Sequence, residues 1–285
     1  MDEPVHDIFE EIVRLRREGV PAALATIVST RGSTPGRESM RLLVLEDGTF
    51  LGTVGGGCLE AEVYEAAKEV IADETPRSLS FRLTENGAPD SGLLCGGEVT
   101  IFVEPVTTPT LWIFGGGHVS KALCQVAALA GFRVTVVDDR ERYACAERFP
   151  QASATVVRPY PEAVAEMPLR ANSYGVIVTR GHQEDATVLR ALASRFAEGE
   201  HLHFLGMIGS KVKRGILLGK LRRDGVAEEF LSTVRSPVGL NLGGRTHEEI
   251  AVAVVGELIA VRRTGRDARE SWAGHRRQNH SRTGI

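Results

Sequence analysis

The chain has 285 residues, 42% of them apolar, enough for two ordinary domains each with its own core. A formal net charge of -3 supplies no field to draw the whole chain onto nucleic acid, and the longest apolar stretches, such as 250–261 with Gly256 and Glu257 inside it, are too short to cross a bilayer of about 30 Å. The acidic start, Met1-Asp2-Glu3-Pro4, has neither part of a signal peptide, and Cys58, Cys95, Cys124 and Cys145 form no Cys-x-x-Cys pair. The expectation is a cytoplasmic protein with reduced thiols, with no membrane or nucleic-acid partner and neither a zinc ribbon nor a thioredoxin-type motif.

Residues 7–18 carry Ile8, Phe9, Ile12 and Leu15 at helical spacing, and Gly19 ends the run. Strands are predicted at 22–29 and 41–45, and an Asp47-Gly48 turn leads into a third at 50–53. After Gly55-Gly56-Gly57, residues 59–72 repeat apolar positions at helical spacing, and strands at 78–83 and 99–103 complete a small mixed sheet. Pro105 and Pro109, among small polar residues, mark a boundary after a first mixed α/β domain of residues 1–105.

A second domain over 111–261 opens with a strand at 111–114, a helix at 119–130 stopped by Gly131, and a strand at 133–137, one β-α-β unit. Further strands at 154–157, 175–179 and 203–208, each followed by a helical pattern, imply a doubly wound parallel sheet of Rossmann type. Residues 262–285 hold seven arginines against Asp267 and Glu270 with few apolar residues, and a disordered basic tail is expected there.

The second domain carries a dinucleotide fingerprint. Gly115-x-Gly117-x-x-Ser120 follows a predicted strand and opens a predicted helix, and Asp138 closes the next strand 21 residues after Gly117. Glycines let backbone approach a pyrophosphate, the helix N-terminus favours negative charge, and the acid accepts ribose hydroxyls. Ser120 replaces the third glycine and is small enough for helix–strand packing. His118 lies in the first helical turn, while His182 and Asp185 follow the strand at 175–179, so in a 3-2-1-4 sheet they border one crevice. Ser210 and Lys211 end a further strand at the same rim, and Ser236-Pro237-Val238-Gly239-Leu240 forms another wall. Against these roles stand plain ones: a helix cap or loop hydrogen bond for each histidine, a tight turn and a solvated lysine at 210–211.

In the first domain, Cys58 follows Gly55-Gly56-Gly57 and opens a helix, where the dipole favours thiolate, and the exposed N–H groups of Gly56 and Gly57 also suit a phosphate. Cys95 precedes Gly96-Gly97 and a strand. Taken singly, either cysteine is better explained as a small apolar residue packed beside a turn; flanked so alike, the two point to a shared soft-metal or nucleophilic role. Cys124 and Cys145 read as packing residues.

Seven motifs in order resemble the XdhC/CoxI family, accessory proteins of molybdenum hydroxylases such as xanthine dehydrogenase. They are Ser29-Thr30-Arg31-Gly32-Ser33-Thr34-Pro35-Gly36 with Met40, Gly55 through Glu60, Leu94-Cys95-Gly96-Gly97, Phe114 through Val119, Thr179 through Asp185, Ile208-Gly209-Ser210-Lys211, and Ser236 through Leu240 followed by Glu248-Glu249-Ile250-Ala251. The departure is His247, where the family usually carries proline. The resemblance implies binding and protection of the molybdenum cofactor, its sulfuration by a cysteine desulfurase partner, and delivery to an apo-hydroxylase of xanthine dehydrogenase type. It further implies that Cys58 and Cys95 approach the molybdenum, and that a pterin phosphate or dinucleotide sits on the loop from Gly115 to Ser120. A homo-oligomer, such as a dimer, is expected, with no catalytic residue and no turnover of its own. The alternatives are an NAD(P)-dependent oxidoreductase with His118 or His182 as acid or base, although no tyrosine–lysine pair follows the fingerprint, and a protein-binding scaffold with an empty pocket.

Overall fold

The structure, a computed structural model, describes residues 7–83, 96–106 and 108–264. The chain divides into two compact units, Met1–Thr108 and Pro109–Ile285.

The first unit opens with α1 (Ile8–Glu18), whose N-terminus is capped by the Asp7 carboxylate accepting from Phe9 N–H at 2.8 Å and whose end is set by Gly19 in the left-handed region. The strands are β1 (Ala22–Arg31), β2 (Arg41–Leu45), β3 (Phe50–Gly52), β4 (Arg77–Arg82) and β5 (Glu98–Pro105), with α2 (Gly57–Asp73) between β3 and β4. They form one sheet in the order β3-β2-β1-β5-β4. Every pairing in it is antiparallel, so the expected mixed sheet is corrected: α2 carries the chain to the far edge, and β5 then turns back between β4 and β1. Pro105 ends β5 beyond the last β4 partner, where its missing N–H costs that ladder nothing, and the division between the units follows at 108/109. Leu15 of α1 packs on Ala22, Leu24 and Leu43, while α2 buries Leu59, Val63, Ala67 and Val70 and lies against β1 and β5.

The second unit contains β6 (Thr110–Phe114), α3 (His118–Leu129), β7 (Arg133–Asp138), β8 (Ala154–Val157), α4 (Tyr160–Glu166), β9 (Ser173–Ile177), α5 (His182–Ala197), β10 (Phe204–Met207), α6 (Lys211–Arg223), α7 (Glu228–Thr233), β11 (Val234–Arg235) and α8 (His247–Thr264). Its sheet is parallel throughout, ordered β11-β10-β9-β6-β7-β8, which is the doubly wound order of a Rossmann fold. Side chains of β6 alternate between two cores: Leu111 and Ile113 pack with residues of α3 and α8, Trp112 and Phe114 with residues of α4 to α7. The two-residue β11 is too short to leave a period-2 signal. The last helix runs past 261, placing the Arg262 guanidinium 5.8 Å over the Phe132 ring; the rest of the expected tail lies outside the described residues. Among the described residues no helix is long and apolar enough to cross a membrane.

Candidate functional site

In the second unit, the strand order reverses between β6 and β9, and the loop leaving β6 is packed unevenly. A Cβ on Gly115 would lie 2.4 Å from Val178 O, and one on Gly116 only 1.9 Å from Tyr143 O. These two glycines therefore serve close packing of backbone on backbone. At Gly117 a Cβ would meet nothing, and this residue caps α3 without a side-chain hydrogen bond, so the dipole end of α3 opens at Gly117 and His118.

Asp138 is wholly buried and already committed. Its Oδ2 accepts from Gly116 N–H at 2.8 Å and from Arg140 Nη2 at 3.0 Å, and its Oδ1 from Arg140 Nε at 2.8 Å and Arg140 N–H at 3.1 Å. Burial alone would raise its pKa. The Arg140 guanidinium and the Gly116 and Arg140 N–H groups more than offset this and hold the carboxyl below the usual carboxylate range. Arg140 in turn sits 3.8 Å from the centre of the Tyr143 ring, and Arg148 donates from Nε to Gly116 O at 2.8 Å. Above β6, Arg180 from the β9 loop grips Asp139 from the β7 loop at 2.8 and 3.0 Å.

The remaining rim residues fall into two groups. Asp185, buried in the first turn of α5, accepts from the Thr179 hydroxyl and pairs with Lys213 of α6, Nζ to Oδ2 at 2.8 Å. Ser210 caps α6 by accepting from Lys213 N–H at 3.1 Å, while Lys211 is exposed. His118 stacks on His247, ring centres 5.4 Å apart and 16° from parallel, so the first turns of α3 and α8 lie side by side. The α8 start is fixed by a capping box in which Glu249 Oε2 accepts from Thr246 N–H at 3.0 Å and Thr246 Oγ1 accepts from Glu249 N–H at 3.2 Å. His182 is exposed at the start of α5, and no hydrogen bond or ring contact joins it to His118.

In the first unit the cysteine loop is open. Gly55, Gly56 and Gly57 have φ of 118°, 77° and 67°, a run that L side chains rarely adopt, and a Cβ on Gly56 or Gly57 would meet nothing. Cys58 follows in the first turn of α2 and is exposed. Glu60 braces the loop, its Oε2 accepting from Thr53 Oγ1 at 2.5 Å and Val54 N–H at 3.2 Å. The segment from Arg31 to Gly36 is wedged between two glycine loops: a Cβ on Gly97 would lie 2.3 Å from Ser33 O, and one on Gly55 2.8 Å from Gly36 N. Three of the sequence motifs thus meet where β1 ends and β5 begins. Gly96 belongs to this meeting point; Cys95 lies outside the described residues.

A family model described as XdhC Rossmann domain matches residues 111–258, and one described as XdhC and CoxI family matches residues 15–82. The chain belongs to the XdhC and CoxI family. Among relatives of this XdhC-family chain, the uncharacterized protein YqeB of Escherichia coli K12 is 34% identical over 258 residues, 90% of this chain and 46% of YqeB, so the chain spans about half the length of that relative. A protein of Bacillus subtilis 168 named as a probable xanthine dehydrogenase subunit is 34% identical over 339 residues, covering 90% of this chain and 97% of that protein. The molybdenum cofactor insertion chaperone PaoD of Escherichia coli K12 is 24% identical over 292 residues, with 90% and 88% covered. A crystal structure described as a xanthine dehydrogenase from Bacillus halodurans shares the fold, with a TM-score of 0.50 at 22% identity over 91% of this chain and 96% of that one.

Within this XdhC-family chain, sequence reasoning found the loops and missed their partners. Lys213, Arg140, Arg148 and the Arg180–Asp139 pair carry no spacing that marks them, and Glu60, though it closes the motif that starts at Gly55, carries no offset that points to Thr53 and Val54. Cys124 is buried, and burial pushes its thiol up to about 11, which suits a packing residue.

Proposed function

We propose that this chain is an accessory protein that binds the molybdenum cofactor, protects it and delivers its sulfurated form to a hydroxylase of xanthine dehydrogenase type. The observation that carries the reading is the exposed Cys58 at the dipole end of α2 on an open loop, in a chain of the XdhC and CoxI family. Thiolate is a soft ligand suited to a molybdenum dithiolene centre. The relatives named for molybdenum cofactor insertion and for xanthine dehydrogenase support the same class of cargo and recipient, and the sulfuration step implies a cysteine desulfurase as a second partner.

Cys58, with Cys95 from the neighbouring motif, would approach the metal, and Gly56, Gly57 and Gly96 would leave backbone free to face the cofactor. In the second unit, the first turn of α3, with Gly117 and His118, would take a phosphate. Gly115 and Ser120 support that turn from inside, and His182, Asp185, Ser210 and Lys211 line the neighbouring rim. The cofactor, when bound, supplies a metal centre able to carry a terminal sulfur; the chain supplies shielding and release. Asp138 weighs against the oxidoreductase alternative, because both its oxygens are spent on the fold and a ribose diol would have to displace Arg140.

Anaerobic incubation of the full chain with molybdenum cofactor, and separately with NADH and NADPH, tests the reading. Retention of molybdenum and pterin through gel filtration, with no saturable nicotinamide binding, is expected. Saturable nicotinamide binding without cofactor retention would overturn it.

A further inference from the structure

In the second unit, α6 is apolar on two opposite sides. Its inner side is ordinary: Leu217, Leu218 and Leu221 are buried in the core that also holds residues of α5 and α7. On a surface helix the side opposite such a stripe is polar or charged. Here residues 212, 216, 219 and 223, three or four apart, form that outer side, and they read Val, Ile, Gly and Arg, with Gly215 beside them. Val212 is 72% and Ile216 70% exposed, more than any other large apolar side chain among the described residues except Leu129. One turn apart, they make an apolar ridge that faces solvent. Helix propensity does not account for the composition. Glycine is among the poorest helix formers, and a Cβ on Gly215 or Gly219 would meet nothing within 4 Å, so no described neighbour requires either one. The missing side chains leave a trough beside the ridge where another backbone can come close.

Charge selects the occupant. α6 holds Lys211, Lys213, Arg214, Lys220, Arg222 and Arg223 and no acid, in a chain whose formal net charge is -3. Lys213 pairs with Asp185 and Arg222 with Glu228, while the exposed Lys211, Lys220 and Arg223 have no ion pair among the described residues. By helical position Lys220 and Lys211 border the ridge on its two sides, and Arg223 continues it. A second copy laid α6 on α6 would set cation against cation, and the sequence beyond 264 is itself rich in arginine. The complementary surface is an apolar seam between acidic rows. We propose that the outer side of α6 is a docking face for the recipient hydroxylase, which lays against it a helix whose apolar seam is bordered by Asp and Glu. The proposal rests on the cofactor-carrier reading. α6 begins directly after Ser210, at Lys211, both residues of the candidate rim, so a partner seated along Val212 and Ile216 stands beside that rim. The ridge supplies the desolvated contact that holds the complex, and the cations steer encounter.

The test is binding of the full chain to a purified apo-hydroxylase of xanthine dehydrogenase type from the same organism, followed by interferometry at low and physiological salt. Ile216→Ser, Gly219→Leu and the double variant Lys220→Glu with Arg223→Glu are compared with the unaltered protein, and molybdenum cofactor retention is measured in parallel. Ile216 is exposed and Gly219 has free space at its Cβ, so both variants should fold, and Gly219→Leu should melt no lower than the unaltered protein. Affinity for the hydroxylase should fall about tenfold in Ile216→Ser and in Gly219→Leu, and the charge reversal should slow association and abolish its salt dependence. Cofactor retention should not change in any of them. Cofactor retention together with a hydroxylase affinity that none of the variants alters would overturn the docking face while leaving the carrier reading in place. Variant-sensitive hydroxylase binding by a protein that retains no cofactor would uphold the face and remove the carrier reading. Three further results would overturn the proposal, each with hydroxylase affinity unchanged: Ile216→Ser dissolves a dimer, which gives the face to a second copy; it abolishes binding to phosphatidylglycerol vesicles, which gives it to a membrane; or it abolishes binding to a purified cysteine desulfurase.

Discussion

The loop Gly55-Gly56-Gly57 of the first unit and the loop Gly115-Gly116-Gly117 of the second share an outline, three glycines leading into a helix, and differ in what surrounds them. In the first, only Gly55 is pressed against neighbouring backbone, and the two glycines before Cys58 face open space. In the second, Gly115 and Gly116 are pressed against Val178 and Tyr143, and only Gly117 is open. The difference teaches that a glycine run has two uses that its letters do not separate. One lets chain segments touch; the other leaves room for something that is not protein. On this comparison the open end of each loop is where a ligand would have room, and the packed part holds the fold.

The largest effect is expected at the carboxylate that ties the packed loop. Asp138→Ala leaves Gly116 N–H and Arg140 without their partner and should cost about 3 kcal/mol, read from thermal melts at neutral pH. Because the native pKa lies below the unfolded one, this stabilisation is present above the usual carboxylate range and fades as pH falls through it towards the lowered native value. The melting curves of the two proteins should therefore approach each other in acid. A gap that stays constant from neutral to acid pH would remove the ionic explanation.

Next comes a contrast inside one loop. Gly116→Ala forces a methyl into the Tyr143 carbonyl and should cost about 2 kcal/mol, whereas Gly117→Ala should change stability by less than about 0.5 kcal/mol. Equal losses in the two variants would erase the distinction between packed and open glycines. Smaller again is Lys213→Ala, which strips the ion pair from buried Asp185; with Lys213 partly solvated, about 1 kcal/mol is expected by chemical denaturation. No measurable change would show that the Thr179 hydroxyl alone is enough for that carboxylate.

Much of this architecture was legible in the residues. Apolar period and punctuating glycines located α1, α2, α3 and the strands β1, β2, β6 and β7 to within two or three residues, because each buries one regular face or ends at a residue that cannot continue it. The strand direction in the first sheet was not legible, since pairing direction depends on connections that period alone does not encode. The loops of the candidate site were legible as glycine runs, and their occupancy was not. Whether Gly116 meets a phosphate or Tyr143 is settled by a residue 27 positions away that carries no motif. His247 shows the reverse: it stood out as a departure where proline is usual, and its stack on His118 gives that departure a place at the mouth of α3.

The most direct test of the central claim is molybdenum cofactor retention by Cys58→Ala, measured anaerobically by metal and pterin content after gel filtration, beside a thermal melt of the same sample. Cys58 is exposed at an open loop, so its melting temperature should match that of the unaltered protein within about 2 °C while cofactor retention falls at least about tenfold. Full retention in a normally folded Cys58→Ala protein would contradict the account.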